Sequence, residues 1–319
     1  MRNFIKRLSL AMSFIGTLVG AGFASGKEIA TFLGETNVLC AVLTAFIIGA
    51  FSLPFTILGS KSNGDIIDAI FKDHSDIGEL IIRIINFIML AAMLGGAESI
   101  LYLSLGVRGG GFITAAFCVI AVSGGSKMLK TLNFVLMPVI LTSVTIIYFY
   151  GGGDIQGHFT MLRPLLYVGM NAFCAGLIVG KMSSGITIRD SLIVALIIAI
   201  FMSGALLIIR GTISGYENYE LPLLEVCTNL NLKPIGGAII YSSILTSALA
   251  TLMLATPQKS SFKGLITVCF AYLLSIIGFE KLINYAYPLI GAIGLIIFII
   301  ILYRLYKYKL NAKLGALSL

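Results

Sequence analysis

Apolar residues occur along this chain in runs of roughly 20, and short polar connections separate one run from the next. Runs of this length cross a bilayer as α-helices, so the pattern predicts an all-α polytopic membrane protein with about ten transmembrane helices. The fourth run is the shortest. The predicted spans cover residues 5–33, 38–58, 80–105, 111–123, 132–150, 165–181, 191–209, 234–255, 262–279 and 282–303.

Glycines interrupt the first span, at Gly16, Gly20, Gly22 and Gly26. An unpaired backbone group is costly in hydrocarbon, so an unwound segment persists only where protein, water, an ion or a solute satisfies the freed amides and carbonyls. We therefore predict that the first helix is discontinuous and forms part of a binding site.

The sixth span contains a similar stretch at residues 168–180, where Gly169, Asn171 and Gly176 lie near its middle. Interruptions at equivalent places in two five-span halves are typical of a 5+5 inverted repeat, with the site at the repeat interface. We predict that helices 1 and 6 are both discontinuous and that residues 1–150 and 151–319 are the two repeats of one integral membrane domain. The alternative is that these glycines only let helices pack closely.

Composition supports the membrane assignment, since 58% of the residues are hydrophobic, 11% are charged and the mean hydropathy is +1.02. The net charge of +8 is explained by topology. With the amino terminus inside, only five basic residues fall in external connections, whereas fifteen fall on the cytoplasmic side. This asymmetry predicts a multi-pass protein of the cell membrane with both termini cytoplasmic, and it leaves no reason to expect a nucleic-acid partner. The external residues are Arg108, Arg163, Arg210, Lys233 and Lys281.

The chain contains no cluster of residues that predicts an enzyme. Its five cysteines are scattered singly, its two histidines lie in polar connections, and no P-loop is present. We expect neither catalysis nor a cofactor.

Three segments resemble a known family. The run from Gly16 to Gly22 resembles the unwound first helix of LeuT-fold transporters of the amino acid-polyamine-organocation superfamily, where a Gly-x-x-Val-Gly-x-Gly pattern recurs. Val168-Gly169 followed by Phe173 resembles the sixth helix of that fold, and Leu245-Thr246-Ser247 resembles its hydroxyl pair for a sodium ion. The longer segment of residues 16–28 most closely resembles the YkvI-like bacterial membrane proteins.

The broken first helix predicts two kinds of ligand. Amides at the start of its outer half point toward an anionic group such as a solute carboxylate, and carbonyls at the end of its inner half point toward a cation. The resemblance implies that the hydroxyl pair completes a sodium site, although such hydroxyls often bond only their own helix. The expected solute-binding residues are Gly20, Ala21, Gly22, Phe23, Asn171, Phe173 and Glu98, and the expected sodium ligands are Gly16, Val19, Thr246 and Ser247.

Charged residues within spans are costly and therefore indicate function. Glu98 in the third span could bind a solute amine, carry a coupling proton or pair with Lys27, and its alternative is a structural role. Lys27 and Glu28 follow the break directly, and we expect a gating or coupling role for Lys27, Glu28 and Glu98. A capping role is the alternative for Glu28.

The sequence thus predicts a secondary transporter that moves a small carboxylate-bearing solute, such as an amino acid, in symport with sodium by alternating access. Proton symport through Glu98 is one alternative, and a channel or structural subunit is another. The expected partners are the solute and the lipid bilayer. The oligomeric state stays open.

Overall fold

The protein is described by a computed structural model over residues 2–122, 125–256 and 261–317. This part of the chain is almost entirely helical. Its α-helices are α1 Arg2–Leu18, α2 Ala21–Ser25, α3 Lys27–Leu33, α4 Val38–Lys61, α5 Ile66–Phe71, α6 Ser75–Leu105, α7 Gly110–Val122, α8 Gly125–Gly151, α9 Leu162–Met182, α10 Ile188–Thr212, α11 Pro222–Asn229, α12 Lys233–Ala255, α13 Ser261–Ser275, α14 Phe279–Lys281 and α15 Tyr287–Leu317.

Within the described residues, six helical stretches are long and apolar enough to cross a membrane, and three shorter apolar helices correspond to the fourth, fifth and ninth predicted spans. The first predicted span is divided among α1, α2 and α3. The fourth was expected to end at Ser123, which lies outside the described residues. An all-helical, membrane-spanning architecture is therefore present, whereas the total of about ten spans stays a prediction.

Two helix pairs form much of the core. The helix α4 packs against α10, and α6 packs against α12, so that each pair joins predicted spans five positions apart in the chain. The helix α9 packs between α4 and α15, and α1 packs against α9 and α10. Large apolar side chains such as Phe149 remain 79% exposed on the outside of the bundle, as expected for a surface in contact with lipid.

The prediction that helix 6 is discontinuous is wrong, because α9 runs without interruption from Leu162 to Met182. Its glycines serve close packing instead. A Cβ atom at Gly169 would collide with the carbonyl oxygen of Gly291 on α15, and one at Gly59 on α4 would collide with the carbonyl of Gly180. Small residues let the backbones approach, as the packing alternative allowed.

Candidate functional site

The break in the first span falls at Gly20, between α1 and α2. Gly20 is extended, with φ −101° and ψ −164°, and its amide donates to the carbonyl of Leu18 at 2.9 Å. In an unbroken helix that amide would bond the carbonyl of Gly16, four residues earlier. The break therefore frees a backbone oxygen at Gly16, inside an apolar bundle where such groups need a partner.

The helix α12 contacts the break through Ser247. The amide of Ala21 donates to Ser247 Oγ at 3.0 Å, and a Cβ atom at Gly20 would lie only 2.8 Å from that oxygen. Thr246 is buried beside it, but its hydroxyl donates to the carbonyl of Ser243 in its own helix at 3.0 Å. The structure thus brings one of the two expected hydroxyls into contact with the broken helix, and Val19 is buried at the same junction.

A second hinge, which the sequence analysis did not separate from the first, lies at Gly26. Its φ of +79° is left-handed, and a Cβ atom there would lie 2.7 Å from Ile213 Cγ2. Glycine is favoured by both the dihedral angle and the close approach. Ser25 Oγ donates to the carbonyl of Gly22 at 3.1 Å within α2. The helix α2 is therefore a five-residue segment between two hinges.

The start of α2 presents backbone amides in a buried place. Its first helical bond runs from the amide of Ala24 to the carbonyl of Gly20 at 2.9 Å. The amides of Gly22 and Phe23 precede that bond, and helix geometry gives them no partner within α2. Both residues are buried, so these amides could donate to an anion at the break.

Glu98 lies within α6, and its carboxylate reaches the turn that joins α6 to α7. Its carboxylate accepts the amide of Gly109 at 3.0 and 3.1 Å and the amide of Gly111 at 3.0 Å. These bonds satisfy amides at the start of α7, where the helix dipole also favours negative charge. Glu98 therefore stabilises the start of α7, which is the structural role that its sequence also allowed, and it does not pair with Lys27.

The expected solute-binding residues of the sixth span are both buried on α9. Phe173 is 1% exposed and Asn171 is 7% exposed. The Nδ2 atom of Asn171 donates to the carbonyl of Tyr167 one turn earlier, at a long 3.4 Å. Asn171 is therefore held only weakly by its own helix.

Glu28 is an acidic residue whose side chain is buried between helices. It is 5% exposed, and its side chain hydrogen-bonds that of Asn171. The negative charge of Glu28 acts on the hydroxyls of Tyr167 and Tyr287, which are buried and lack hydrogen-bond partners among the described residues. We call Glu28, Tyr167, Asn171 and Tyr287 the Glu28 cluster.

Sequence reasoning missed Tyr167 and Tyr287. A signal existed for Tyr167, which precedes Asn171 by four residues and therefore lies on the same face of α9. Tyr287 follows a π-helical segment, Leu282–Ala286, which shifts the helical register in a way that the sequence pattern does not reveal. Such segments often occur at functional sites.

Lys27 is the first residue of α3, and it forms an ion pair in which the lysine is buried and the side chain of Glu280 is 45% exposed. Its Nζ atom is 2.6 Å from Glu280 Oε1 and donates to the carbonyl of Tyr219 at 3.0 Å. A cavity of about 1070 Å³ opens beside this pair, and both Lys27 and Glu280 line it. At the opposite end of the first span, Arg7 on α1 pairs with Asp190 on α10 at 2.6 Å.

The glycines of the break give a prediction about stability. A Cβ atom at Gly22 would overlap the Glu28 carboxylate, whereas one at Gly16 would meet no atom within 4 Å. We expect Gly22→Ala to cost about 1–3 kcal/mol through overpacking. Gly16→Ala should be neutral or stabilise α1 by up to about 1 kcal/mol, because alanine is the better helix former. Thermal unfolding in detergent measures both, and equal melting temperatures for the two variants would contradict the described geometry.

Comparison with known proteins places the fold. No protein-family model matches the chain, and no curated protein matches it in sequence. The chain is similar to the inward-facing conformation of Mhp1, with a TM-score of 0.62 and 13% identity over 90% of this chain and 73% of that chain. It is also similar to Mhp1, a nucleobase-cation-symport-1 family transporter, in a closed conformation with bromovinylhydantoin bound. There the TM-score is 0.63 and the identity 15%, over 92% of this chain and 77% of that chain.

At these identities the likeness establishes the fold, and it supports the LeuT-fold class that the glycine pattern predicted. Both structural neighbours are structures of a transporter, which is not an enzyme. The closer resemblance to the YkvI-like proteins and the division into two five-span repeats stay predictions.

Proposed function

We propose that this protein is a secondary transporter that moves a small carboxylate-bearing solute, such as an amino acid, in symport with sodium. The observation that carries the proposal is the broken first span. It leaves backbone donors and acceptors unpaired in the interior of a membrane bundle whose fold is that of a transporter. Such a break is a recurrent site for solutes and ions.

The solute carboxylate is assigned to the start of α2. The amides of Gly22 and Phe23 offer donors that require little rearrangement, and the dipole of the short helix adds to their attraction. Asn171 and Phe173 on α9 form the proposed opposite wall, because α9 packs against α1 and α3 around the break.

The sodium ion is assigned to the inner side of the same break. The carbonyls of Gly16 and Val19 are hard oxygen ligands, and the hydroxyls of Thr246 and Ser247 would add two more. Ser247 already contacts the broken helix through the amide of Ala21. The sodium and solute sites would then share one hinge, so that an ion bound on one side stabilises the conformation that accepts solute on the other.

Lys27 and Glu280 are proposed to gate the predicted external side. Their ion pair joins α3 to the segment before α15 at the base of the large cavity. Solute entering from that cavity would have to pass the pair. Arg7 and Asp190 form the corresponding tie at the predicted cytoplasmic end.

The test is sodium-dependent counterflow in proteoliposomes with a mixture of radiolabelled amino acids. Wild type should show saturable exchange that sodium stimulates. Thr246→Ala combined with Ser247→Ala removes two oxygen ligands, each worth about 1 kcal/mol. We therefore expect the sodium concentration for half-maximal exchange to rise about tenfold or more.

Thr251→Ala is the matched control, because the Thr251 hydroxyl bonds only carbonyls of α12, those of Ser247 and Ala248, at 2.9 and 3.0 Å. It should keep normal sodium dependence. Sodium stimulation that persists in the double variant would overturn the cation site. A channel or a structural subunit would show no counterflow with any solute.

A further inference from the structure

We propose that Glu28 carries a coupling proton, which binds its carboxylate together with the solute and leaves with it on the other side of the membrane. This inference rests on the proposed transport function. It adds a second coupling site, on the α3 side of the break, to the sodium site assigned beside α12.

The buried carboxylate of Glu28 lacks a counter-charge among the described residues. Glu28 is 5% exposed, and among the described residues no lysine, arginine or histidine forms an ion pair with it. A carboxylate that is removed from water without a cationic partner is strongly disfavoured. The described residues therefore supply no cation that compensates its charge.

Several neutral side chains lie close enough to respond to a negative charge on Glu28. On α9, Tyr167 and Asn171 interact with Glu28. On α15, Tyr287 interacts with Glu28 and also with Cys174 of α9. Each of these groups is neutral in its ordinary form. The hydroxyls of Tyr167 and Tyr287 are buried and lack hydrogen-bond partners among the described residues, so both are available to donate to a charged carboxylate.

The nearby cations are engaged elsewhere. Lys27 adjoins Glu28 in the chain, but its Nζ atom contacts Glu280 and the carbonyl of Tyr219. Arg210 of α10 packs near the far end of α3, where it bonds the carbonyls of Leu33 and Gly34 and pairs with Glu217. Tyr285 in the π-helical segment is 79% exposed. No charged group among the described residues of the elements packed on α3 therefore neutralises Glu28.

The limited space around the Glu28 carboxylate favours a proton over a larger cation. The Glu28 carboxylate occupies the space that a side chain at position 22 would fill, and it hydrogen-bonds Asn171 directly. None of the described cavities is lined by Glu28. A proton needs no additional volume, since binding only converts the carboxylate to a carboxylic acid through one O–H bond.

The position of Glu28 beside Gly22 would couple proton binding to solute binding. The Glu28 carboxyl contacts Gly22, whose amide belongs to the proposed site for the solute carboxylate. Two negative charges at that distance repel each other in a medium of low dielectric constant. Protonation of Glu28 removes the repulsion, so proton and solute favour each other's binding. After the solute leaves, the Tyr167 and Tyr287 hydroxyls and the Asn171 amide can stabilise the charged carboxylate while the proton departs.

The experiment compares wild type with Glu28→Gln, in which a neutral amide of the same size replaces the carboxyl. Infrared difference spectra of the purified protein over a pH series should show a protonated carboxyl band that is absent in Glu28→Gln. Glu79→Gln is the control, because Glu79 is exposed and pairs only with Arg83 one turn away. The band should persist in that control. A wild-type spectrum without a band that depends on Glu28 overturns the proposal, whatever the transported solute is.

The transport arm uses the mixture of radiolabelled amino acids at constant sodium concentration. An alkaline interior should stimulate uptake by wild type and by Glu79→Gln. Glu28→Gln should retain exchange without a gradient but lose the stimulation, because its neutral side chain mimics the protonated state permanently. Unchanged stimulation in Glu28→Gln overturns the proposal, and so does loss of exchange, which would make Glu28 a solute ligand instead. If wild type exchanges none of the amino acids, the proposed function fails for that solute class, and the infrared band still decides the role of Glu28.

Discussion

Arg210→Met is expected to destabilise the folded protein by about 3–5 kcal/mol, the range for removing one partner of a buried ionic network. Arg210 is only 1% exposed, and the helix that carries it, α10, is long and apolar enough to cross a membrane. Its guanidinium donates to the carbonyls of Leu33 at 3.1 Å and of Gln156 at 3.0 Å, and also to that of Gly34. Its fourth bond, at 2.7 Å, joins Glu217.

The size of this effect follows from what the arginine leaves behind. Without it, carbonyls at the end of α3 lose their donors in a buried place, and Glu217 loses its counter-charge. Methionine fills similar apolar volume but donates no hydrogen bond. The same guanidinium joins α10, the end of α3 and the connection before α9, so its loss should also loosen the elements that position the Glu28 cluster.

Native cysteines provide the measurement. Cys40, Cys118, Cys174 and Cys227 are buried, and only Cys269 is exposed. In a Cys269→Ser background, a thiol-reactive fluorophore therefore reports unfolding during a thermal ramp in detergent. Arg83→Met is the control, because Arg83 forms an exposed pair with Glu79 that is worth about 0.5 kcal/mol. Equal melting temperatures for the two variants would show that the Arg210 network does not stabilise the fold.

Gly169→Val should cost about 3 kcal/mol, at the upper end of what overpacking does. At Gly169 the obstacle is backbone, since a Cβ atom would collide with the carbonyl of Gly291, and Leu295 Cγ would lie 2.8 Å away. A carbonyl within α15 cannot rotate away as a side chain can. The two helices would have to separate, although α9 and α15 carry three of the four residues of the Glu28 cluster.

Gly204→Val is the matched control for this substitution. Gly204 also lies within a membrane helix, α10, but a Cβ atom there meets no atom within 4 Å. We expect a change within about 0.5 kcal/mol, as for other substitutions away from packed contacts. The fluorophore assay on the Cys269→Ser background applies to both variants. A loss at Gly204 as large as that at Gly169 would indicate a general intolerance of valine and not a close helix crossing.

The break in the first helix was predictable from sequence because its cause is local. Four glycines in one apolar run weaken the helix wherever it lies, and Gly20 is extended in the structure. Ser247 could be named only through the family resemblance. Its contact with Ala21 depends on how α12 crosses α2, which no pattern within α12 encodes.

The acidic residues show what the sequence could not distinguish. It predicted a gating or coupling role for both Glu98 and Glu28, with a capping role as the alternative for Glu28. In the structure the turn after α6 brings the amides of Gly109 and Gly111 back onto Glu98, whereas Glu28 is buried. That turn depends on the left-handed conformations of Gly106 and Gly109. Residues far apart in the chain, such as Glu28 and Tyr287, meet only once the bundle is assembled.

The glycines of α9 misled the prediction for a different reason. The same residue type weakens an isolated helix and permits close packing of a buried one, so sequence alone leaves both outcomes open. The backbone of α15 at Gly169 and the side chain of Ile66 at Gly180 leave no room for a larger residue, and α9 is unbroken.

The hinges at Gly20 and Gly26 divide the first span into three short rods. The ion pair of Arg7 and Asp190 connects α1 to α10, and the ion pair of Lys27 and Glu280 connects α3 to α14. Because α2 separates α1 from α3, breaking one ion pair does not strain the other. Under the proposed transport mechanism the two ends of the pathway would therefore open independently, which predicts an intermediate with both ion pairs formed instead of a single rocking step.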